Sequence, residues 1–245
     1  GAPVFTYHVE GSGPHWPPHA RLMALSDDPQ HLANLPGGGG VLGDVDNGLA
    51  LLAERTNKRA YSGPTHQLID PPAEMTAAYV LKRIAALRPE DAIIVEESPT
   101  ARGPEHVTLP ITREGGFYSC ASGGLGYSLP GALGVAMAQD DKVIAVLGDG
   151  AAMYTVQGMF TAFQEKLPIS FVIMNNSAYA ALTGFSGEFG MNHVPGCDLA
   201  GLDFVKIAEG HGVAGRRVDT VEDLDAALEW SFGASKPTLL DLRIA

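Results

Sequence analysis

Two stretches of the chain decide its fold: Lys142-Val-Ile-Ala-Val-Leu-Gly-Asp-Gly150 and, further along, Ile169-Ser-Phe-Val-Ile-Met-Asn-Asn-Ser-Ala178. Each begins with an apolar run of the length of a strand and then changes abruptly to small and polar residues. Neither run shows the alternation of polar and apolar residues that is typical of a strand with one face in water. Strands that are apolar throughout favour a parallel sheet that is covered by helices on both faces.

The same succession of helix and strand extends from residue 74 to the C-terminus. The apolar spacing predicts helices over 74–87, 130–138, 152–163 and 220–232, and further strands over 92–95 and 238–242. Proline stands in the first turn of the second helix, and Thr220 opens the last one with a start like a capping box. The sequence therefore predicts an α/β fold with a doubly wound parallel sheet over residues 74–245.

The N-terminal part is less regular. A short strand is predicted over 21–26 and a helix over 47–56, with the glycine run 36–40 as a flexible connection between them. Residues 58–73 are Pro-rich and aperiodic, as a linker would be. We therefore interpret residues 1–57 as the C-terminal remnant of a preceding α/β domain. The start, Gly1-Ala-Pro-Val-Phe5, has neither an initiator Met nor a signal peptide, which indicates a piece of a longer chain.

Composition narrows the possible functions. Apolar residues make up 45% of the 245 residues and charged residues 18%, so the chain can bury a core. A net charge of −12 argues against a nucleic acid or an anionic membrane as partner, because both attract basic surfaces. No apolar run reaches the roughly 18 residues of a membrane span. The two cysteines, Cys120 and Cys197, are too few for a disulfide framework and suggest a reduced, cytoplasmic protein.

Polar residues follow both apolar runs at the point where ligands bind in sheets of this kind, beyond the carboxyl ends of the strands. Asp149 follows the first run, and Asn176 follows the second. Carboxylate and amide oxygens suit Mg²⁺ or Ca²⁺ better than a thiophilic metal. The glycines beside Asp149 let a bulky anion approach, and a helix that begins near Ala152 would point its positive end at that anion. A metal that bridges to a diphosphate would fit this arrangement.

These motifs together resemble those of thiamine-diphosphate-dependent enzymes. Gly148-Asp-Gly150, followed at a distance by Asn175-Asn176, is similar to the motif that binds the diphosphate and its metal in that family. The stretches 1–8, 117–130, 171–182 and 194–204 resemble the 2-keto-acid decarboxylases of the benzoylformate type, strongly over 115–245 and weakly over 11–73. The resemblance implies thiamine diphosphate and Mg²⁺ as cofactors. It also implies Asp149, Asn176 and the carbonyl of Ala178 as metal ligands.

The resemblance also implies roles for other residues. Leu125 would be the apolar wedge under the cofactor, and the carbonyl of Gly123 would accept a hydrogen bond from its aminopyrimidine. The remaining residues at the cofactor would be Ser98, Thr100, Gly150, Ala151, Tyr154 and Tyr179. The substrate pocket would be lined by Ser119, Ala181, Leu182 and Phe185, with His8 as a catalytic histidine. Two positions depart from the pattern: Pro99 replaces a hydroxyl residue near the diphosphate, and Ser119 replaces a pocket aromatic.

The implied reaction is the non-oxidative decarboxylation of a 2-keto acid, with an aryl substrate such as benzoylformate. In that family a glutamate of a separate N-terminal domain, supplied across a dimer interface, activates the cofactor. No glutamate here can be assigned that role, so we expect the isolated chain to be inactive and to act within a dimer or tetramer. Alternatives are a carboligase like acetolactate synthase and a non-catalytic cofactor-binding subunit or fragment. A nicotinamide-dependent oxidoreductase would need a glycine fingerprint and an acidic ribose contact that are not found in the required order.

Overall fold

The structure is a computed structural model that describes residues 19–35, 37–57, 72–120, 124–191 and 193–245. The chain divides into two compact units, Gly1–Gly63 and Pro64–Ala245. The predicted linker over 58–73 lies mostly outside the described residues, so the predicted domain boundaries stay a prediction. Each unit is described by itself below.

The first unit contains two β-α pairs. In chain order they are β1 (Met23–Ser26), α1 (Pro29–Ala33), β2 (Gly39–Leu42) and α2 (Val45–Arg55). The strands pair in parallel, with Met23 opposite Gly39. The interpretation of the whole glycine run as a flexible connection was therefore wrong, since its second half is a strand. Glycine is depleted in strands as a class, but the backbone hydrogen bonds to β1 outweigh that weak preference here.

The second unit is built on a six-stranded parallel sheet with the strand order β4-β3-β5-β6-β8-β7. Its strands are β3 (Ile93–Glu97), β4 (Phe117–Ser119), β5 (Val143–Gly148), β6 (Ile169–Asn175), β7 (Ala214–Val218) and β8 (Thr238–Arg243). Its helices are α3 (Ala77–Leu87), α4 (Arg102–Thr108), α5 (Ser128–Ala138), α6 (Asp149–Met153), α7 (Gly158–Gln164), α8 (Ala180–Glu188), α9 (Phe204–Gly210) and α10 (Val221–Phe232). The predicted doubly wound sheet is confirmed.

Some elements differ from the sequence-based expectation. The helix predicted over 152–163 is two short helices, α6 and α7, and the first already begins at Asp149. The strands β4 and β7 and the helices α4, α8 and α9 were not predicted. Strand β7, Ala-Gly-Arg-Arg-Val at the sheet edge, consists mostly of small or charged residues that are exposed or half-buried, so it lacks the apolar run by which the inner strands were recognised.

The helices cover the sheet in two layers. Helices α3, α4 and α10 share one apolar core with one face of the sheet, and α5, α6, α7 and α9 share a second core with the other face. Strand β3 leads into α4 in the first layer, whereas the neighbouring strand β5 leads into α6 and α7 in the second. The chain therefore reverses its winding between β3 and β5. In open α/β sheets the ligand crevice lies at such a point, beyond the carboxyl ends of the two strands.

A pair of buried carboxyl groups lies between β3 and α4. Glu96 is 1% exposed and accepts hydrogen bonds from the backbone N–H of Ser98 at 2.7 Å and the Ser119 hydroxyl at 2.8 Å. Glu105, also 1% exposed, lies close enough to be affected by the charge of Glu96. Burial raises the pKa of Glu105 to about 8, with Glu96 acting in the same direction and Arg102 opposing. Glu105 is therefore largely protonated at neutral pH.

We expect this protonation to make stability depend on pH. A folded-state pKa above the unfolded value means that Glu105 stabilises the fold fully below pH about 4.5 and loses that contribution as pH rises through about 8. Glu105→Gln, which stays neutral, should therefore gain free energy of unfolding relative to the wild type as pH rises. Urea denaturation of both proteins between pH about 5 and about 9 measures this difference. A difference that does not change with pH would contradict the raised pKa.

Candidate functional site

The site lies where β5 and β6 end side by side. Gly148 of β5 is paired with Met174 of β6, so the residues that follow each strand leave the sheet at the same level. Asp149 is the next residue after β5, and Asn175 closes β6. The hydrogen-bond register of two parallel strands thus brings together the two polar loops that the sequence places far apart.

Asp149 is a buried carboxylate with one unsatisfied oxygen. It is 3% exposed, and its Oδ1 accepts a hydrogen bond from the N–H of Gly150 at 2.8 Å. Its Oδ2 has no hydrogen-bond partner among the described residues. Burial raises the pKa of Asp149, while the backbone N–H groups of Gly150, Ser177 and Ala178 act to lower it. The loop after β6 therefore faces this carboxylate, and a buried oxygen without a partner is the arrangement that a cation would complete.

The loop after β6 is held by its own side chains. Oδ1 of Asn176 accepts a hydrogen bond from the N–H of Ala178 at 3.2 Å, and Oδ1 of Asn175 accepts one from the N–H of Ser177 at 3.0 Å. On the neighbouring strand, the fully buried Asp241 accepts a hydrogen bond from Nδ2 of Asn175 at 2.6 Å. Asn176 and Ala178, two of the three predicted metal ligands, thus belong to one ordered turn.

Two residues of β8 form hydrogen bonds to this loop, and the sequence analysis did not predict them. Asp241 bonds Asn175, and Arg243 donates from Nη1 to Oδ1 of Asn175 at 3.0 Å and to Oγ of Ser177 at 2.8 Å. The sequence did contain one signal, since Asp241 interrupts an otherwise apolar strand. Nothing in the sequence showed that β8 lies beside β6, because the strand that precedes β8 in the chain is at the sheet edge.

Gly150 is required by a close approach of Tyr179. A Cβ atom at position 150 would lie 2.2 Å from a ring carbon of Tyr179, so any side chain there would displace this ring. Burial raises the pKa of Tyr179, and the nearby Tyr154 and Asp149 act in the same direction. The backbone of Gly150 near the start of α6 therefore lies against the ring of Tyr179 and next to the carboxylate of Asp149.

The turn that carries Leu125 lies on the other side of the same crevice. Gly126 has a left-handed φ of +88°, and a Cβ atom there would be 2.9 Å from Cβ of Tyr154. Leu125 itself is 41% exposed. At the end of β3, Cα of Ser98 would lie 3.9 Å from a Cβ atom at Gly148. The predicted residues Ser98, Leu125 and Tyr154 thus border the ends of β3 and β5.

For the other predicted site residues that the structure describes, it shows the element on which each lies but no contact with Asp149. Ala181, Leu182 and Phe185 lie exposed on α8, the helix that follows the Asn175–Ala178 turn. Ser119 ends β4 and is bonded to Glu96, and Thr100 is exposed after β3. His8 and Gly123 lie outside the described residues. The roles predicted for all these residues stay predictions.

The donor set fits a hard cation held by few protein groups. No cluster of three or more His, Cys, Asp or Glu that could hold a metal occurs in the part of the chain that the structure describes. Asp149 with an amide oxygen and a backbone carbonyl would instead leave positions open for water and phosphate oxygens, as Mg²⁺ prefers.

The described helices include none that is long and apolar enough to cross a membrane.

Comparisons with known proteins match the part of the chain that contains Asp149 and the Asn175–Ala178 turn. A family model described as thiamine pyrophosphate enzyme, C-terminal TPP binding domain, matches residues 105–242. Over 99% of its length the chain is 35% identical to benzoylformate decarboxylase of Pseudomonas aeruginosa, of which it covers 47%. It is 24% identical to the acetolactate synthase isozyme 2 large subunit of Escherichia coli, with 98% of the chain and 46% of that protein covered.

A solved structure agrees with these matches. The thiamine diphosphate-dependent 4-hydroxybenzoylformate decarboxylase of Rhodococcus jostii superimposes with a TM-score of 0.89 at 36% identity, covering all of this chain and 47% of that one. The chain thus spans about half the length of the relatives that it matches. With the buried Asp149 and the facing Asn175–Ala178 turn within the matched region, the chain belongs to the family of thiamine pyrophosphate enzymes and contains their C-terminal TPP-binding domain.

Proposed function

We propose that the chain is the diphosphate- and Mg²⁺-binding part of a 2-keto-acid decarboxylase that acts on an aryl substrate such as benzoylformate. The observation that carries the proposal is the buried Asp149, whose Oδ2 has no partner among the described residues and which faces the turn with Asn176. Asp149, Asn176 and the carbonyl of Ala178 would hold Mg²⁺. The names of the relatives support an aryl 2-keto acid.

The residues around the metal position would bind and orient the cofactor. The backbone of Gly150 and Ala151 would approach the diphosphate under Tyr179, with Tyr154, Ser98 and Thr100 nearby. Leu125 and the carbonyl of Gly123 would orient the rings. When bound, thiamine diphosphate would supply the carbanion that adds to the keto carbon and the electron sink for the electron pair that departing CO₂ leaves behind. The protein contributes binding, orientation and the exclusion of water.

The substrate would lie towards α8. Ala181, Leu182 and Phe185 are exposed there, and Leu182 and Phe185 are 56% and 41% exposed. Together with Ser119 they would line the pocket. A carboligase remains the alternative, since the acetolactate synthase subunit of E. coli is also similar over 98% of the chain. Comparing benzoylformate with pyruvate as substrates, with a glutamate-bearing N-terminal domain supplied to the chain, separates the two.

An activating glutamate from an N-terminal domain or a second chain completes the proposed site, in a dimer or tetramer located in the cytoplasm. The acidic residues near the crevice have other partners: Glu96 is bonded to Ser98 and Ser119, and Glu97 to Gly126 and Ser128. Both are buried. Neither is placed to serve as that glutamate.

The proposal predicts that the chain alone does not catalyse the reaction. With thiamine diphosphate, Mg²⁺ and benzoylformate, we expect no CO₂ release above the cofactor in buffer, because the group that activates the cofactor is not supplied. A coupled or manometric assay of the pure chain measures this, with the similar benzoylformate decarboxylase of Pseudomonas aeruginosa as the positive control. Sustained CO₂ release from the chain would contradict an incomplete site.

The metal site predicts a specific loss of cofactor binding. We expect Asp149→Asn to weaken Mg²⁺-dependent binding of thiamine diphosphate by about 100-fold or more, because even a group that only orients a metal ligand contributes about 10- to 100-fold. Native mass spectrometry and calorimetry with and without Mg²⁺ measure it. Asp225→Asn, which alters a half-exposed carboxylate that is paired with Arg83, is the control and should bind as the wild type does. Binding that needs neither Mg²⁺ nor Asp149 would refute the site.

The turn of the metal ligands also contains backbone strain. Ser177 has a left-handed φ of 58°, which costs a residue other than glycine about 1–2 kcal/mol. Its Oγ accepts a hydrogen bond from Arg243 and donates to Oδ1 of Asn175 at 3.3 Å. These side-chain bonds offset the strain and keep the backbone of Asn176 and Ala178 in place. Strained residues of this kind concentrate at functional sites.

This balance predicts an order of stabilities. Ser177→Ala keeps the strain and loses the bonds, whereas Ser177→Gly loses both, so the glycine variant should exceed the alanine variant by about 1–2 kcal/mol in free energy of unfolding. Urea denaturation measures it. Lys166, with φ 54°, offers a matched pair of variants away from the site, Lys166→Gly and Lys166→Ala, in which cofactor binding should not change. Equal stability of the two Ser177 variants would show that position 177 is not strained.

A further inference from the structure

A buried carboxylate outside the metal site holds the turn that carries Leu125. Glu97 is the last residue of β3 and is 3% exposed. Its Oε1 accepts a hydrogen bond from the N–H of Gly126 at 2.5 Å, and its Oε2 accepts one from the N–H of Ser128 at 2.7 Å. Two backbone N–H groups are thus bonded to two oxygens of one side chain.

These two bonds account for the burial of the charge. Among the described residues no Lys, Arg or His forms an ion pair with Glu97. A buried carboxylate without a cation is stable only when N–H groups satisfy it, and such charge-assisted bonds are short and about twice as strong as neutral ones. Ser128 is the first residue of α5, so the carboxylate also lies at the positive end of an 11-residue helix.

The same turn is held from the opposite side of the crevice. Oγ1 of Thr155, which follows α6, donates to the carbonyl of Gly126 at 3.3 Å, and Tyr154 lies against Gly126. The hydroxyl of Ser128 donates to the carbonyl of Glu96 at 2.6 Å. The turn therefore spans from the end of β3 to the segment after β5, and Leu125 projects from it with 41% of its surface exposed.

We propose that Glu97 is a positioning residue that sets the place of Leu125 relative to the diphosphate loop at Asp149. The proposal rests on the proposed function, in which Leu125 contacts the cofactor rings. If Glu97 only capped α5, its substitution would lower the stability of the fold and weaken the binding of all ligands alike. If Glu97 acts through Leu125, its substitution should weaken the binding only of ligands that contact Leu125.

Substituting an amide for the carboxylate tests this. Glu97→Gln keeps the size of the side chain but replaces one acceptor oxygen with an NH₂ group, which would face a backbone N–H, so one bond is lost and the turn must shift. We expect thiamine diphosphate with Mg²⁺ to bind about tenfold more weakly. Inorganic pyrophosphate with Mg²⁺ lacks the rings and should bind within about twofold of the wild type. Calorimetry on the full chain with both ligands gives the two values.

Two further variants make the test specific. Glu105→Gln alters another buried glutamate of the same region, one that is already largely neutral, and should leave the ratio of the two affinities unchanged. Leu125→Ala should weaken the binding of thiamine diphosphate but not that of pyrophosphate. In the double variant with Glu97→Gln, it should cause little further loss of affinity, because both changes remove the same contact. If Glu97→Gln does not fold, Glu97→Asp keeps the charge and both oxygens on a shorter side chain. We then expect the affinity for thiamine diphosphate to fall about threefold and that for pyrophosphate to stay the same.

Amide exchange separates this inference from the proposed function. In the cofactor-free Glu97→Gln variant, the backbone amides of Gly126 and Ser128 should exchange hydrogen at least about tenfold faster than in the wild type. The exchange rates of the amides of β5 and β6 should not change. If the wild type bound neither ligand, the proposed function of the chain would fail, and this exchange would still decide on the role of Glu97. Equal losses for both ligands, full additivity with Leu125→Ala, or unchanged exchange at Gly126 and Ser128 would each overturn the proposal.

Discussion

The burial of the Asp149 carboxylate is the constraint on which the rest of the site depends. A charge removed from water costs several kcal/mol unless hydrogen bonds or a cation compensate for it. Here Oδ1 is bonded to Gly150, while Oδ2 has no partner among the described residues. The protein tolerates this because β5 is a buried central strand of the sheet and delivers Asp149 to a rigid position. A divalent cation at that oxygen would compensate for the buried charge.

Two other buried carboxylates support the same crevice without reaching it. Glu97 holds the Gly126–Ser128 segment through backbone N–H groups, and Asp241 holds Asn175 through its amide. Each lies at the carboxyl end of its strand or close to it. Both segments that border the site are therefore tied to strands of the sheet. Sites built on rigid elements in this way keep their geometry more closely than sites on free loops.

Several large apolar side chains near the crevice are exposed. Leu125, Tyr154, Leu182 and Phe185 each have between 41% and 56% of their surface exposed. They lie near the point where the sheet reverses its winding, next to the diphosphate loop. Exposed apolar residues grouped at a ligand crevice mark a binding surface more often than a solvated one. This supports the proposal that cofactor, substrate and a further domain cover this side of the sheet.

The sequence by itself determined the class of fold and predicted the chemistry of the site. Buried strands are recognised from continuous apolar runs, and Asp149 and Asn176 are predicted as hard ligands because they lie directly after such runs. Both inferences use only local order along the chain. The edge strand β7 and the strand half of the glycine run escaped detection because neighbouring strands, not local preferences, stabilise them. Only the tertiary structure decided which strands are neighbours. That order places β8 beside β6 and the Leu125 turn against Glu97, so the supporting roles of Asp241, Arg243 and Glu97 depend on contacts between residues far apart in the chain.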